Sequence, residues 1–205
     1  TYKRIADYLY KNTGIELKDH KKYLVINRLS KYIGSDKIYK DYEHFYQSLI
    51  EDSTGEVFTL ITNTLTTNYS YFFREPEHFR FLFDFLKERF KNENYIRLWS
   101  AACSTGEEGY SIALTSYYAI PNIEKTDFKI LGTDISSKVL SIAKQGTYKK
   151  DKIEGHIPKK LYIHFNKHGE NWTVNDEIKN LIRYANLNLF DNYPFKKKFD
   201  VVFLK

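Results

Sequence analysis

The sequence predicts an α/β fold: a small all-helical N-terminal domain, then a doubly wound parallel sheet that carries a small inserted β-subdomain. Residues up to about 65 have helical periodicity and lack the alternation that strands have. From Tyr95 onward, short apolar stretches alternate with helical stretches at the spacing of parallel βαβ units. We therefore assign residues 1–65 to a helical domain and 95–205 to an α/β domain, with 66–94 as a linker and connecting helix.

The clearest helix of the first domain is predicted in DHKKYLVINRLSKYIG, residues 19–34. Asp19 is suited to cap its start, and Gly34 is suited to close it in a left-handed conformation. Arg28 and Lys31 point away from its apolar arc. This pattern is typical of a solvated helix face, and it also allows a docking surface for an acidic partner.

The stretch TTNYSYFFRE, from Thr66 to Glu75, puts polar side chains beside three consecutive aromatic rings. Asn68, Ser70 and Arg74 are its candidate functional residues, and the rings are suited to anchor them. A linker with an incidental arginine is the alternative interpretation. A helix is predicted in EPEHFRFLFDFLKERF, which follows, because a proline fits the first turn of a helix.

Four apolar stretches of the second domain are predicted to be strands: YIRLWSAA, FKILGTD, IRYANLNL and FDVVFLK. The helix after the second strand is predicted to begin at a Ser136 cap and to stop at Gly146. A stretch rich in glycine, proline and charge, at about 150–180, is predicted to be the β-subdomain insert. Because the chain starts at Thr1, contains no methionine and ends within an apolar strand, we expect it to be truncated at the C-terminus.

The amino-acid composition limits the functional classes to which the protein can belong. The 32 Lys and Arg residues against 26 Asp and Glu give a net charge of +6, which is weak evidence for a nucleic-acid partner. Cys103 is the single cysteine, so an intramolecular disulfide and a cysteine zinc site are excluded, and we expect no metal. No signal-peptide pattern is present, nor an apolar run near the ~20 residues that a membrane span needs. We therefore expect a cytoplasmic protein without membrane insertion.

The candidate ligand site lies at two predicted strand ends, in SAACSTGEE and in GTDIS. The first turn has neither the Walker pattern nor G-x-G-x-x-G, which disfavours a phosphate ligand, and Glu107 and Glu108 suit a cationic one. Asp134, at the tip of the second strand, is suited to accept hydrogen bonds from ribose hydroxyls. An ordinary turn with helix-capping acids is the alternative. A nucleoside without phosphates fits these features, and S-adenosylmethionine is such a molecule.

Six stretches, which occur in the same order as in the family and span almost the whole chain, resemble the chemotaxis receptor methyltransferase family (CheR type). They are GIELKDHKKYLVINRLSKYI, LTTNYSYFFREPEHF, RLWSAACSTGEEGYSIAL, ILGTDISSKVLSIAKQGTY, NLNLFD and FDVVF. The resemblance implies a Rossmann-like, S-adenosylmethionine-dependent methyltransferase sheet with a small β-subdomain insert. It implies methylation of glutamate side chains of chemoreceptors to methyl esters, with S-adenosylhomocysteine as the other product. The implied partner is the cytoplasmic helical domain of chemoreceptors; we expect no nucleic acid and a monomer.

The resemblance also implies roles for individual residues. Cofactor-binding residues are implied at Asn68, Ser70, Arg74, Ala101, Glu107, Asp134, Asn188 and Leu189, and Arg74 is implied at the methyl-transfer site. Ser70 stands where the family usually has Thr, and Gly109 stands where many members have Pro. Leu204 and Lys205 occupy the place of a Cys-Arg pair, and the family residues beyond it are absent from this sequence. On this interpretation the chain binds the cofactor poorly or does not turn over.

Methyl transfer to a glutamate carboxylate needs no general base, because that group, with a pKa near ~4.3, is ionised at neutral pH. We expect Arg74 to hold the carboxylate as the catalytic residue, since a guanidinium stays protonated and pairs through two bonds. Arg28 and Lys31 are expected to dock the receptor helix. One alternative is a nucleic-acid methyltransferase, which would need a catalytic cysteine or an Asn/Asp-Pro-Pro-aromatic loop. The other is a non-catalytic module for S-adenosylmethionine binding or signalling.

Overall fold

The computed structural model describes residues 1–66, 68–91 and 95–204. Thr67 of the aromatic stretch, residues 92–94 of the predicted linker and Lys205 of the last strand lie outside the described residues. The chain divides into two compact units. One comprises Thr1–Thr67 and Asn188–Tyr193, and the other comprises Asn68–Leu187 and Pro194–Lys205.

The first unit is helical. Its helices are α1 (Tyr2–Thr13), α2 (Lys22–Leu29), α3 (Tyr42–Ile50) and α4 (Glu56–Leu65), with a 3-10 turn at Asp19–Lys21. Each helix buries one apolar stripe, and these stripes form a common core of Ile5, Leu9, Val25, Leu29, Phe45, Leu49, Ile61 and Leu65.

The helix predicted over residues 19–34 is shorter than its sequence pattern indicates. Asp19 belongs to the separate 3-10 turn, α2 starts without a side-chain cap, and α2 ends at Leu29. The chain then turns back, and the Gly34 amide donates to the Tyr39 carbonyl at 2.8 Å. This pairing buries Ile33 and Tyr39 at 8% and 7% exposure. The prediction of one continuous helix is therefore wrong, because a more distant backbone pairing stabilises a turn there.

The second unit is an α/β structure with two sheets. Its strands are β1 (Tyr95–Ala101), β2 (Asp127–Asp134), β3 (Thr147–Lys149), β4 (Phe165–His168), β5 (Asn171–Val174), β6 (Ile182–Asn186) and β7 (Val201–Leu204). Its helices are α5 (Pro76–Phe90), α6 (Glu107–Ala119), α7 (Ser137–Gln145), α8 (Lys150–Glu154) and α9 (Asp176–Lys179), with 3-10 turns at Ile123–Lys125 and Lys159–His164. Strands β6-β2-β1-β7 form a parallel sheet, and β3-β5-β4 form a small antiparallel sheet. The predicted fold class is confirmed.

Local signals of the sequence set the ends of two helices of this unit. The Ser136 hydroxyl accepts from the Val139 amide at 3.4 Å at the start of α7, and Gly146 ends that helix at a φ of 61°. Pro76 is the first residue of α5, where a missing amide costs no hydrogen bond. These three predictions are confirmed.

The parallel sheet orders the chain so that β1 and β2 end side by side. Ala101, the last residue of β1, is paired with Thr133, one residue before the end of β2. Helices α5 and α6 cover the sheet through buried side chains that include Leu82, Leu86, Ile112 and Leu114. The carboxyl ends of the strands therefore form one edge, the usual ligand side of such sheets.

Across the described ranges, no helix has both the length and the apolar character that crossing a membrane requires. Nor do the described residues contain a cluster of three or more His, Cys, Asp or Glu side chains that could hold a metal ion.

Candidate active site

The loop after β1 is tied to the end of β2. The Cys103 amide donates to the Thr133 carbonyl at 2.8 Å, and the Ser104 amide donates to Asp134 Oδ2 at 2.9 Å. The other oxygen of Asp134 accepts from the Ser136 amide at 2.9 Å, and the side chain is 7% exposed. Because each carboxylate oxygen can accept a further bond, Asp134 holds the loop and the start of α7 while keeping capacity for a ligand.

Two further carboxylates stand at the start of α6. Glu107 is fully buried; its Oε2 accepts from the Thr105 hydroxyl at 2.6 Å and its Oε1 pairs with Lys152 Nζ at 3.0 Å. Glu108 is partly exposed and accepts from the Ser100 hydroxyl at 2.7 Å. The start of a helix favours negative charge, which helps to explain why two acids are tolerated here.

The Cys103 thiol experiences the negative charge of these carboxylates. Burial, together with the Asp134 and Glu108 carboxylates, raises the pKa of the Cys103 thiol. The thiol is 1% exposed and stays protonated at neutral pH. It is therefore unsuited to be the nucleophile that the nucleic-acid alternative would need.

The backbone of the loop is strained. Ala102 has a φ of 59°, Ser104 has a φ of 51° and Gly106 has a φ of 94°. A Cβ on Gly106 would lie 2.8 Å from the Ala143 Cβ and 2.9 Å from the Tyr148 hydroxyl oxygen. Glycine is required at this position both for its conformation and for the close approach of α7 and β3.

Two tyrosine hydroxyls hold the strained loop. Tyr148, on β3, donates to the Thr105 carbonyl at 2.7 Å, and Tyr184, on β6, donates to the Gly106 carbonyl at 3.3 Å. Burial first, and then the Glu107 carboxylate, raise the pKa of Tyr148 well above its usual value, so its hydroxyl stays a donor. Neither tyrosine was predicted from the sequence to support the loop. The only signal was the position of Tyr148 at the end of the motif ILGTDISSKVLSIAKQGTY.

The aromatic stretch lies against the same loop. The Ser104 hydroxyl donates to the Asn68 carbonyl at 3.4 Å, which connects the stretch to the loop. Phe72 is 1% exposed, with its ring centroid 5.0 Å from that of Tyr148 and 6.1 Å from that of Phe165. The Phe73 amide donates to the Ser111 hydroxyl at 2.9 Å. The predicted anchoring of this stretch by its rings agrees with these contacts.

Backbone strain is concentrated in these two segments. Among the described residues other than glycine, those with positive φ are Phe73, Glu75, Ala102, Ser104 and Asn122. Four of these five lie in the aromatic stretch or in the loop after β1. Strained residues persist where the surrounding structure fixes them, and they cluster at functional sites. This distribution is independent support for the predicted location of the active site.

Six of the residues implied by the resemblance lie in the α/β unit. Asn68, Ser70 and Arg74 are half-buried in the aromatic stretch, Ala101 is buried at the end of β1, and Glu107 and Asp134 flank the loop. The loop contacts join Asn68, Glu107 and Asp134 into one region of that unit.

The other two implied residues, Asn188 and Leu189, belong to the helical unit, as do the docking candidates Arg28 and Lys31. The Asn188 amide group donates to the Asn12 carbonyl at 2.7 Å, and the Leu189 carbonyl accepts from the Tyr193 hydroxyl at 2.9 Å. Lys31 is exposed, with Nζ 4.7 Å from the Tyr32 ring centroid.

Arg28 has a structural role that its position on a polar helix face does not indicate. Its Nη1 donates to the carbonyls of Leu65 at 3.1 Å and Thr66 at 3.2 Å, at the end of α4. A cation that satisfies the last carbonyls of a helix also opposes the negative end of the helix dipole. Arg28 therefore stabilises the end of α4.

The chemistry of this edge fits S-adenosylmethionine. The cofactor presents an ammonium group, a sulfonium and two ribose hydroxyls, all of which favour hydrogen-bond acceptors or negative charge. The edge offers the carboxylates of Glu107, Glu108 and Asp134. The loop from Ala101 to Gly106 contains no lysine or arginine, so it offers no cation to a phosphate.

Comparisons with known proteins agree with this assignment. The family model described as CheR methyltransferase, SAM binding domain, matches residues 68–205, and the CheR methyltransferase all-alpha domain matches residues 1–66. A probable chemotaxis protein methyltransferase of Rhizobium etli is 38% identical over 96% of this chain and 76% of that protein. The chemotaxis protein methyltransferases of Borreliella burgdorferi and Escherichia coli are 37% and 33% identical, over 98% and 100% of this chain and 74% and 71% of those proteins. The chain belongs to the CheR methyltransferase family.

Proposed function

We propose that the protein transfers the methyl group of S-adenosylmethionine to glutamate side chains of chemoreceptors, forming methyl esters and S-adenosylhomocysteine. Family membership supports the reaction class, and relatives described as chemotaxis protein methyltransferases support the receptor as substrate. We further propose that the protein acts in the cytoplasm as a monomer.

The observation that carries this proposal is the group of buried or half-buried carboxylates at the ends of β1 and β2. On this proposal Asp134 accepts from the ribose hydroxyls, and Glu107 and the Ala101 backbone face the methionine part of the cofactor. Asn68 and Ser70 contribute polar groups from the aromatic stretch, and Asn188 and Leu189 lie near the adenine.

The bound cofactor supplies a methyl group on a sulfonium, which a carboxylate can attack directly. The protein must then orient the substrate carboxylate about ~3–3.5 Å from that methyl group and keep water away. Arg74 is the residue we assign to orientation, because its guanidinium can hold a carboxylate by two bonds at any physiological pH. Phe72, buried two positions earlier, fixes the backbone that presents Arg74. Since negative charge is lost during transfer, the grip of Arg74 must be geometric rather than tight.

Receptor docking is assigned to Arg28 within α2 and to Lys31, which follows that helix. Lys31 offers an exposed ammonium to an acidic receptor helix. Arg28 contributes indirectly, because its guanidinium donates to the carbonyls at the end of α4 and so stabilises this part of the helical unit. On this proposal Lys31→Ala raises the KM for the receptor and leaves kcat nearly unchanged.

The test uses radiolabelled cofactor with a purified receptor cytoplasmic fragment, and with DNA and RNA as alternative acceptors. Label in the receptor that is released as volatile methanol by base identifies a methyl ester. Arg74→Ala should lower the transfer rate by about 100-fold, and should change the affinity for S-adenosylhomocysteine far less. An unchanged rate would contradict the role of Arg74. Label in nucleic acid would contradict the substrate class.

A further inference from the structure

The segment that forms the small sheet contacts the loop after β1 at two points. Tyr148, on β3, donates its hydroxyl to the Thr105 carbonyl at 2.7 Å. Lys152, on α8, pairs with Glu107 at 3.0 Å. Tyr148 and Lys152 are 43 and 45 residues away from their partners in sequence, so only the folded insert brings them to the loop.

The pairing with Lys152 bears on the charge of Glu107. Lys152 is half exposed, whereas the Glu107 side chain has no exposed surface. A buried carboxylate without a cation or hydrogen bonds is costly. The Thr105 hydroxyl supplies one hydrogen bond at 2.6 Å, and the Lys152 ammonium supplies the positive charge.

The other titratable groups that face Glu107 do not supply that charge. Burial, followed by the Glu107 carboxylate, raises the pKa of Tyr148, and burial, with Asp134 and Glu108, raises the pKa of Cys103. Both groups are therefore neutral at neutral pH. Asp134 and Glu108 add negative charge to this region, which increases the need for Lys152.

We propose that Lys152 and Tyr148 are positioning residues of the cofactor loop: Lys152 balances the charge of the buried Glu107 carboxylate and orients it, and Tyr148 fixes the strained backbone before it. The small sheet segment thus contributes directly to cofactor affinity. This inference rests on the proposed function, because it takes the loop to be the site of S-adenosylmethionine. Neither residue touches the reacting groups, so both act through the loop.

The test measures the affinity for S-adenosylhomocysteine by calorimetry with the whole chain. Lys152→Met keeps the stem and removes the charge, and it should weaken binding about tenfold, a modest loss because Lys152 is half exposed. Lys152→Arg should restore most of the affinity. Tyr148→Phe should weaken binding about fivefold through the lost hydrogen bond. The matched control is Lys150→Met, which breaks an exposed pair with Glu154 on the same helix, 3.8 Å long, and should leave binding unchanged.

Rescue by the conservative variant separates positioning from a general loss of structure. Because Lys152→Arg keeps the positive charge, it should bind S-adenosylhomocysteine more tightly than Lys152→Met does. A defect of equal size in Lys152→Arg and Lys152→Met, or the same in Lys150→Met, would overturn the role of Lys152. Failure of the wild type to bind would instead contradict the proposed function. Hydrogen exchange of the amides from Cys103 to Glu107 then decides the inference: faster exchange in Lys152→Met than in Lys150→Met supports it, and equal exchange overturns it.

Discussion

The aromatic stretch and the loop after β1 are both strained, but different forces hold them. The stretch from Asn68 to Glu75 is fixed by the packing of rings, above all by Phe72, which is 1% exposed. The loop from Ala101 to Gly106 is fixed by hydrogen bonds. Two of its carbonyls accept from tyrosine hydroxyls, and one of its amides donates to the Asp134 carboxylate. Strain at one candidate site is thus stabilised by apolar burial in one segment and by polar contacts in the other.

In the aromatic stretch, different residues hold the backbone and carry the candidate function, whereas at the loop the same residues do both. In the aromatic stretch, the anchoring rings are distinct from the candidate residues Asn68, Ser70 and Arg74. Beside the loop, Asp134 and Glu107 are candidate ligand-binding groups and also hold the loop: Asp134 accepts from the Ser104 amide, and Glu107 accepts from the Thr105 hydroxyl. Substitutions of the loop acids will therefore change stability and binding together.

The largest expected effect is a loss of packing in the aromatic stretch. Phe72→Ala removes a buried ring that contacts Tyr148 and Phe165, and it should lower the free energy of unfolding by about 3–5 kcal/mol. Urea denaturation measures this loss. The control is Phe81→Ala, at a ring that is 66% exposed, which should change the free energy by less than about 0.5 kcal/mol. Equal losses in the two variants would contradict anchoring by Phe72.

The loop should respond most strongly at its glycine. Gly106→Ala adds a Cβ that would meet Ala143 and Tyr148 at a positive φ, and it should cost about 2–3 kcal/mol of stability and weaken S-adenosylhomocysteine binding. Gly55→Ala is the matched control, because Gly55 has a φ of 77° and no atom within 4 Å of an added Cβ. It should cost about 1 kcal/mol from backbone strain alone. A similar cost at both glycines would show that close packing of the loop is unimportant.

Much of the fold was predictable because it depends on local patterns. Strand and helix alternation after Tyr95, the Ser136 cap and the Gly146 stop each follow from a few neighbouring residues. The helix predicted over 19–34 failed where the Ile33–Tyr39 pairing competes with helical periodicity. A local sequence pattern does not indicate such a pairing, because the two residues meet only in the folded chain.

The candidate site was predictable for the residues at strand ends and not for the groups that support them. Asp134 could be singled out because it stands at the tip of a predicted parallel strand, and Glu107 because it stands at the start of the helix that follows the first strand. Lys152 is one lysine among many in a charged stretch, and nothing in its sequence neighbourhood links it to Glu107. Arg28 likewise has the pattern of an exposed residue, although it satisfies the end of a distant helix.

A smaller effect is expected where the two segments meet. The Ser111 hydroxyl accepts from the Phe73 amide at 2.9 Å and donates to the Glu107 carbonyl at 2.7 Å, so it connects both segments through α6. Ser111→Ala leaves the Phe73 amide unsatisfied, which should cost about 1–2 kcal/mol in urea denaturation. Ser116→Ala, on the same helix, removes only a hydroxyl that bonds to Ile112 and should be nearly neutral. If both variants are neutral, the segments are held independently of each other.

The smallest expected effect is specific to the polar loop and appears at alkaline pH. Burial raises the pKa of Tyr148 well above its usual value, so this side chain ionises in the unfolded chain before it ionises in the folded one. Its contribution to stability is complete below the unfolded pKa of about 10 and is lost as the pH rises through the folded value. Between pH 8 and pH 10.5, the wild type should lose about 0.8 kcal/mol more stability than Tyr148→Phe does. Between pH 6 and pH 8, where tyrosines do not titrate, the stability difference between the two proteins should stay constant. A loss of stability of the same size in both proteins at alkaline pH would mean that this hydroxyl is not buried at the loop. It would contradict the claim that a polar contact from Tyr148 holds the loop, in contrast to the aromatic stretch, which rings hold.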